Sequence, residues 1–244
     1  MLSRPQRRVS SLLVAGLLGA LAACGSDDAD SQDAVSVADD TADTPVSQGA
    51  VECSVPPALP ASVPTFQAGD APVPGEQGPV RAQVQTSCGP ITLDLDGQAA
   101  PQTVASFSFL AQEGYWGDSP CHRLTTEGIY VLQCGDPTGT GRGGPGYTFG
   151  IENAPSDGLY PRGTVAMARS SELDSNGGQF FIVHSDTMLP TEGGGYTIFG
   201  RVTEGMDIID AVAAAGVDGG GADGPPAQPI SITGVEIEEE ATSS

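Results

Sequence analysis

The chain has 244 residues, with 31 Asp and Glu against 9 basic residues, all of them arginine, and a formal net charge of −22. Three arginines (Arg4, Arg7, Arg8) precede residue 24 and no acid does, so the remainder carries 6 Arg against 31 acids. That balance argues against a nucleic-acid surface, which needs clustered Lys or Arg to neutralise phosphates, and against docking on anionic lipid by charge.

Residues 1–23 read as a secretory signal. Three arginines are followed by the apolar run 11–23, which is shorter than the about 20 residues a spanning helix takes. Leu21-Ala22-Ala23-Cys24 resembles a bacterial lipobox. That resemblance implies lipidation of Cys24 and an anchor on the outer face of the cell membrane; an ordinary signal peptide that happens to precede a cysteine is the other reading. Residues 24–50 are mostly Asp, Ser, Ala and Thr without aromatics, a composition that predicts a disordered acidic tether. Residues 51–79 are Pro-rich and contain Cys53, and are read as an extended arm partly pinned to the domain. A folded domain over 80–240 and a tail over 241–244 complete the chain.

Apart from Cys24, four cysteines remain: Cys53, Cys88, Cys121 and Cys134. An even number in an exported chain predicts two disulfides. Three connectivities exist. Cys53–Cys88, stapling the arm, with Cys121–Cys134 across neighbouring strands, is preferred; free buried thiols are the alternative. No C-x-x-C pair accompanies His122, so no zinc site is expected.

Within the domain, VRAQVQTS from Val80 and CGPITLDLDG from Cys88 alternate apolar and polar residues around a turn at Ser87–Pro90, as two strands do. Ala100–Gly114 reads as a helix, with Pro101 in its first turn and Val104, Phe107, Leu110 and Ala111 on one side. Short strands are predicted at 121–125, 129–134, 163–169, 179–184 and 196–202. A second helix follows at Glu204–Gly216, with Ile208, Ile209, Val212 and Ala213 inward. After a loop at 222–229, a last strand at 230–238 is broken at Gly234. Many short strands and two helices suggest a mainly β barrel or sandwich with helices over its open ends.

Four blocks then occur in order: 121–147 (CHRLTTEGIYVLQCGDPTGTGRGGPGY), 163–169 (GTVAMAR), 176–182 (NGGQFFI) and 196–210 (YTIFGRVTEGMDIID). Together they resemble the cyclophilins, the peptidyl-prolyl isomerase family, over about residues 80–240. The resemblance implies an eight-stranded antiparallel β-barrel capped by two α-helices. It also implies isomerisation of X-Pro bonds in proline-containing polypeptides, with no cofactor and no metal. Arg123 stands where the family carries its catalytic arginine. Phe181 matches the floor of the proline pocket, and Gln179 a binder of substrate backbone. Tyr130, Val131, Gln133, Ala168, Arg169, Met188, Leu189 and Tyr196 fall at or near binding positions. The chain departs from the commonest pattern at Tyr130-Val131 (Phe-Met is usual), Arg169 (Asn) and Tyr196 (His). It also has no pocket tryptophan, Trp116 lying before the H-R block. Alternation on a strand puts His122 on the face opposite Arg123, as a buried structural histidine. Gly139-x-Gly141-x-x-Gly144 lacks a βαβ frame and is not a dinucleotide site. Without an apolar repeat or heptad, a monomer is expected. The competing reading is a non-catalytic peptide-binding or chaperone-like module on the same scaffold.

Overall fold

The computed structural model describes residues 51–75 and 78–239; the expected signal, Cys24, acidic tether and tail lie outside the described residues. The first hairpin follows directly from sequence alternation. β1 (Pro79–Thr86) and β2 (Gly89–Asp96) pair antiparallel with Val80 opposite Leu95, Ala82 opposite Leu93 and Val84 opposite Ile91. These period-two positions give both strands one apolar face.

α1 (Pro101–Gln112) begins with Pro101, which lacks the amide proton that a helix start leaves unpaired anyway. No local side chain caps it. The Glu152 carboxylate does so from far along the chain, accepting the amides of Gln102 at 3.0 Å and Thr103 at 2.8 Å. The expected inward residues Val104, Phe107, Leu110 and Ala111 are buried, and so are Thr103, Ala105 and Ser106.

The remaining strands are β3 (Ser119–Pro120), β4 (Arg123–Thr125), β5 (Val131–Cys134), β6 (Leu159–Tyr160), β7 (Thr164–Met167), β8 (Phe180–Val183), β9 (Thr187–Met188), β10 (Ile198–Glu204), β11 (Asp223–Gly224) and β12 (Ser231–Glu239). α2 (Met206–Ala215) lies between β10 and β11. β6 and β9 form a small two-stranded sheet; the others make one antiparallel ten-stranded sheet in the order β11-β4-β5-β8-β7-β10-β2-β1-β12-β3, curled into a half-barrel. The expected eight strands are those between the two ends. The additional β11 and β3 are two-residue pieces of loop that pair onto the edges, leaving the ladder open between them. In β12 the expected break is a bulge: Gln85 faces Gly234 but Thr86 faces Ile232, so Thr233 is left unopposed.

α1 packs on β12 and β2, and α2 on β2. The main core lies inside the curl, where Phe107 of α1 meets Trp116, Phe180 and Phe199 with ring centroids 4.5, 5.8 and 5.5 Å away. Trp116 is buried, and its Nε1 donates to the Gly178 carbonyl at 2.9 Å.

Residues 51–75 run along this body without regular structure apart from a 3-10 turn at Ala68–Asp70. Cys53 is bonded to Cys88, and Cys121 to Cys134. At a sequence separation of 35 residues, the Cys53–Cys88 bond stabilises by about 3–4 kcal/mol in the chain-entropy account. Further along, the Phe66 amide donates to the Pro145 carbonyl at 2.7 Å, and its ring meets Phe109 edge-on at 4.9 Å.

Candidate active site

One row of side chains crosses the sheet. Arg123 of β4 faces Gln133 of β5, which faces Phe181 of β8, which faces Ala166 of β7, which faces Ile198 of β10. Residues in register across neighbouring strands share a face. The alternate residues Leu132, Ile182 and Val165 point the other way, into the main core. A second, separate apolar cluster therefore forms on the row's side, built from Val131, Tyr160, Ala166, Phe181, Val183 and Leu189, with Ile129, Ala168, Tyr196 and Ile198 partly buried against it.

Most expected residues come together here. Phe181 and Tyr196 meet edge-on at 5.7 Å. Arg169 lies over the Tyr196 ring at 5.1 Å and donates Nε to the Gly195 carbonyl at 2.6 Å, so it fixes the chain that carries Tyr196. The Ala168 amide donates to the Gln179 carbonyl at 2.9 Å. Tyr130 stands at the edge, its ring 5.8 Å from that of His184. Met188 does not join the cluster: it is 58% exposed and pairs with Leu159 in the small sheet.

Polar groups line the rim as a chain of hydrogen bonds. Arg123 Nη1 donates to Gln133 Oε1 at 3.3 Å, Gln133 Nε2 to Gln179 Oε1 at 2.9 Å, and Gln179 Nε2 to the Gly143 carbonyl at 2.8 Å. A groove of about 630 Å³ lies beside it, lined among others by Gln133, Arg142, Gly143, Ala168, Arg169 and Gln179. Gly135, at φ 90°, lets the chain after β5 turn away beside Gln179, the residue before β8; a Cβ there would overlap the Gly178 carbonyl oxygen.

Buried Asp136 anchors the loop behind Gly143. It accepts hydrogen bonds from the amides of Thr138, Arg142 and Gly143 at 2.8, 3.1 and 3.1 Å, and from the hydroxyls of Thr138 and Thr140 at 2.7 and 3.2 Å. Burial pushes the carboxyl's pKa up, but hydrogen bonds from Thr138, Gly143 and Thr140 outweigh it and hold the group below its usual range. On the other face from Arg123, His122 has both ring nitrogens enclosed without a hydrogen-bond partner, and burial pushes its pKa down.

Two residues of the site carry no signal in the sequence. Tyr160 is fully buried in the cluster; its hydroxyl donates to the Tyr196 carbonyl at 2.9 Å and accepts the Tyr196 amide at 2.8 Å. Asp223 binds Arg123 from a stretch read only as loop, a hundred residues along the chain. Strand periodicity could have found neither.

The arrangement is an apolar cluster containing Tyr160, Phe181 and Tyr196, with a guanidinium held by Asp223 and Gln133 and two carboxamides at its edge. Among the described residues no group of His, Cys, Asp and Glu is disposed to hold a metal ion. Such a site can hold a proline ring and donate hydrogen bonds to a peptide backbone.

Residues 81–237 match the cyclophilin type peptidyl-prolyl cis-trans isomerase/CLD family. The chain is 40% identical over 202 residues to a probable peptidyl-prolyl cis-trans isomerase B of Mycobacterium leprae, covering 77% of this chain and 67% of that protein. A Mycobacterium tuberculosis protein of the same name is 42% identical over 181 residues; the match spans 68% of this chain but only 57% of that relative's length. Among solved structures, a Cryptosporidium parvum cyclophilin type peptidyl-prolyl cis-trans isomerase covers 67% of this chain and is covered entirely, at 28% identity and a TM-score of 0.57. The same protein, in a crystal structure determined in the presence of the dipeptide Ala-Pro, gives 29% identity and a TM-score of 0.56. With its sheet, its two helices and four motif blocks in this register, the chain belongs to the cyclophilin-type peptidyl-prolyl cis-trans isomerases.

Proposed function

We propose that this protein accelerates rotation about X-Pro bonds in exported polypeptides, with Arg123 as the donor and the Phe181 cluster as the proline pocket. The barrier to that rotation is amide resonance, about 20 kcal/mol, and uncatalysed exchange takes roughly tens to hundreds of seconds. No bond is made or broken, so neither nucleophile nor metal is required. The enzyme must bind the twisted amide better than either planar form.

In the twisted state the prolyl nitrogen recovers its lone pair and becomes an acceptor. A guanidinium suits this acceptor because it stays charged and holds its N–H groups in a rigid plane. Gln133 and Gln179, with their amides already aligned, bind the substrate backbone on either side. Phe181, Val131, Leu189 and Tyr196 hold the ring, so that rotation turns the acyl side of the bond against a fixed proline. The observation that carries this reading is the cross-strand row, which sets Arg123 in register with Gln133 and Phe181 on one face.

The exported context rests on residues 1–23 and Cys24. Slow X-Pro steps limit the folding of chains delivered outside the membrane, where an anchored isomerase would meet them.

A protease-coupled X-Pro peptide assay tests the chemistry. Arg123→Ala should lower kcat/KM by about 10²–10³-fold, the scale for losing one aimed donor. Phe181→Leu, which keeps most of the buried volume, should lower it by about tenfold. A folded wild type without activity would turn the reading to a peptide-binding module. Activity that survives Arg123→Ala would remove the arginine from its role.

A further inference from the structure

We infer that Asp223 is a positioning residue for catalysis, one that holds the Arg123 guanidinium in the orientation from which it donates; this rests on the reading of Arg123 given above. Asp223 Oδ1 accepts Arg123 Nε at 2.7 Å and Oδ2 accepts Nη2 at 2.7 Å, a two-point contact along one edge of the guanidinium. Gln133 Oε1 accepts from Nη1. An arginine has five N–H groups. Three are thus held by protein acceptors that approach from two strands, and two remain for a substrate. A two-point ion pair fixes the plane of the group as well as its distance. The ion pair raises the pKa of Arg123 and lowers that of Asp223, chiefly through their hydrogen bond.

The carboxylate is itself placed by backbone structure. Asp223 lies on β11, which pairs with β4 so that Asp223 faces Thr125 and Gly224 faces Leu124. The Thr126 amide donates to the Ala222 carbonyl at 2.9 Å. The loop that carries β11 is pinned in turn by a bridge between Val217 and Pro226 and by the Ala227 amide donating to the Gly216 carbonyl at 2.8 Å. An ordered segment between α2 and β12 therefore presents one acid to the arginine at the sheet's edge.

A plain surface ion pair has the same composition, and the side chains are 37% and 56% exposed. Exposed pairs contribute little to global stability. The two readings therefore separate in the kinetics and not in the melting curve.

The experiment measures kcat and KM for the full chain with Asp223→Ala, Asp223→Asn and Arg123→Ala, together with the Arg123 Nε–H signal in nitrogen-15 NMR spectra. Positioning predicts about a tenfold fall in kcat for Asp223→Ala with KM within about twofold. Asp223→Asn, which keeps one acceptor oxygen, should recover part of the loss, and the Arg123 signal should shift and broaden in Asp223→Ala. Should Asp223→Ala fail to fold, Asp223→Asn and its Arg123 signal decide the matter alone. Unchanged kcat in the Asp223 variants beside an inactive Arg123→Ala would overturn this proposal and leave the site reading standing. Higher kcat in Asp223→Ala would also overturn it, making the pair a brake. Full activity in Arg123→Ala would overturn both.

Discussion

At the residue scale, neighbours in sequence have opposite tasks. His122 and Arg123 share a strand boundary, and alternation sends one ring under the glycine-rich loop, against Gly141, and the other side chain to the rim. The enclosed His122 ring makes the fold sensitive to acid. Its folded pKa is depressed below the usual value of 6.5, so the unfolded chain binds the proton more readily than the folded one. Stability is therefore complete above that usual value and is lost as the pH falls through it towards the lower folded pKa. Thermal melts should show a falling midpoint between pH 7.5 and pH 5.5, and His122→Gln should flatten that slope. Equal slopes for wild type and variant would place the acid sensitivity elsewhere.

At the element scale, the loop from Asp136 to Gly143 is organised by one carboxylate instead of by secondary structure. Gly143 must be a glycine, because a Cβ there would run into the Asp136 carboxylate. The loop's product is the Gly143 carbonyl, on which Gln179 rests. Asp136→Asn would turn an amide NH₂ towards groups that donate. It should destabilise the protein by about 1–3 kcal/mol, with a higher KM and a smaller change in kcat. The folded pKa of Asp136 lies below the usual 3.8, so the loop's contribution is fully present above that value and is lost as the pH falls through the still lower folded pKa. The Gly143 amide resonance should therefore stay fixed from neutral pH to about pH 4 and move only below it. Movement near pH 6 would contradict this account.

At the scale of the whole molecule, the described body is closed by connections that a sheet and two helices do not supply. The Cys53–Cys88 bond ties residues 51–75 to the first hairpin, and Phe66 fastens the same stretch beside Pro145 in the glycine-rich region. The family match begins at residue 81, so this stretch lies outside the matched domain. The lipid anchor proposed at Cys24 would tether the protein to the cell surface. Wild type should incorporate labelled fatty acid and sediment with membranes, whereas Cys24→Ser should be recovered in the soluble fraction. Equal membrane retention of both forms would end that proposal.

Both helices and the eight longer strands are legible in local sequence, whereas the two-residue strands β3, β6, β9 and β11 are not. Val80, Ala82 and Val84 against Ile91, Leu93 and Leu95 specify a hairpin because side chains on a strand alternate with period two. The helical repeat of Val104, Phe107 and Leu110 likewise specifies α1. The motif blocks named Arg123, Gln133, Gln179 and Phe181, since each is recognisable from its immediate neighbours. Strand limits were less legible. The strand expected at 121–125 shortens to Arg123–Thr125, and the one expected at 196–202 lies at Ile198–Glu204, because pairing with neighbours sets where a ladder starts and stops. Long-range folding alone brings Tyr160 to the Phe181 cluster, Glu152 to the start of α1 and Asp223 to Arg123. Each of these contacts joins residues distant in the chain, and local periodicity carries no information about which loop a folded sheet brings to its edge.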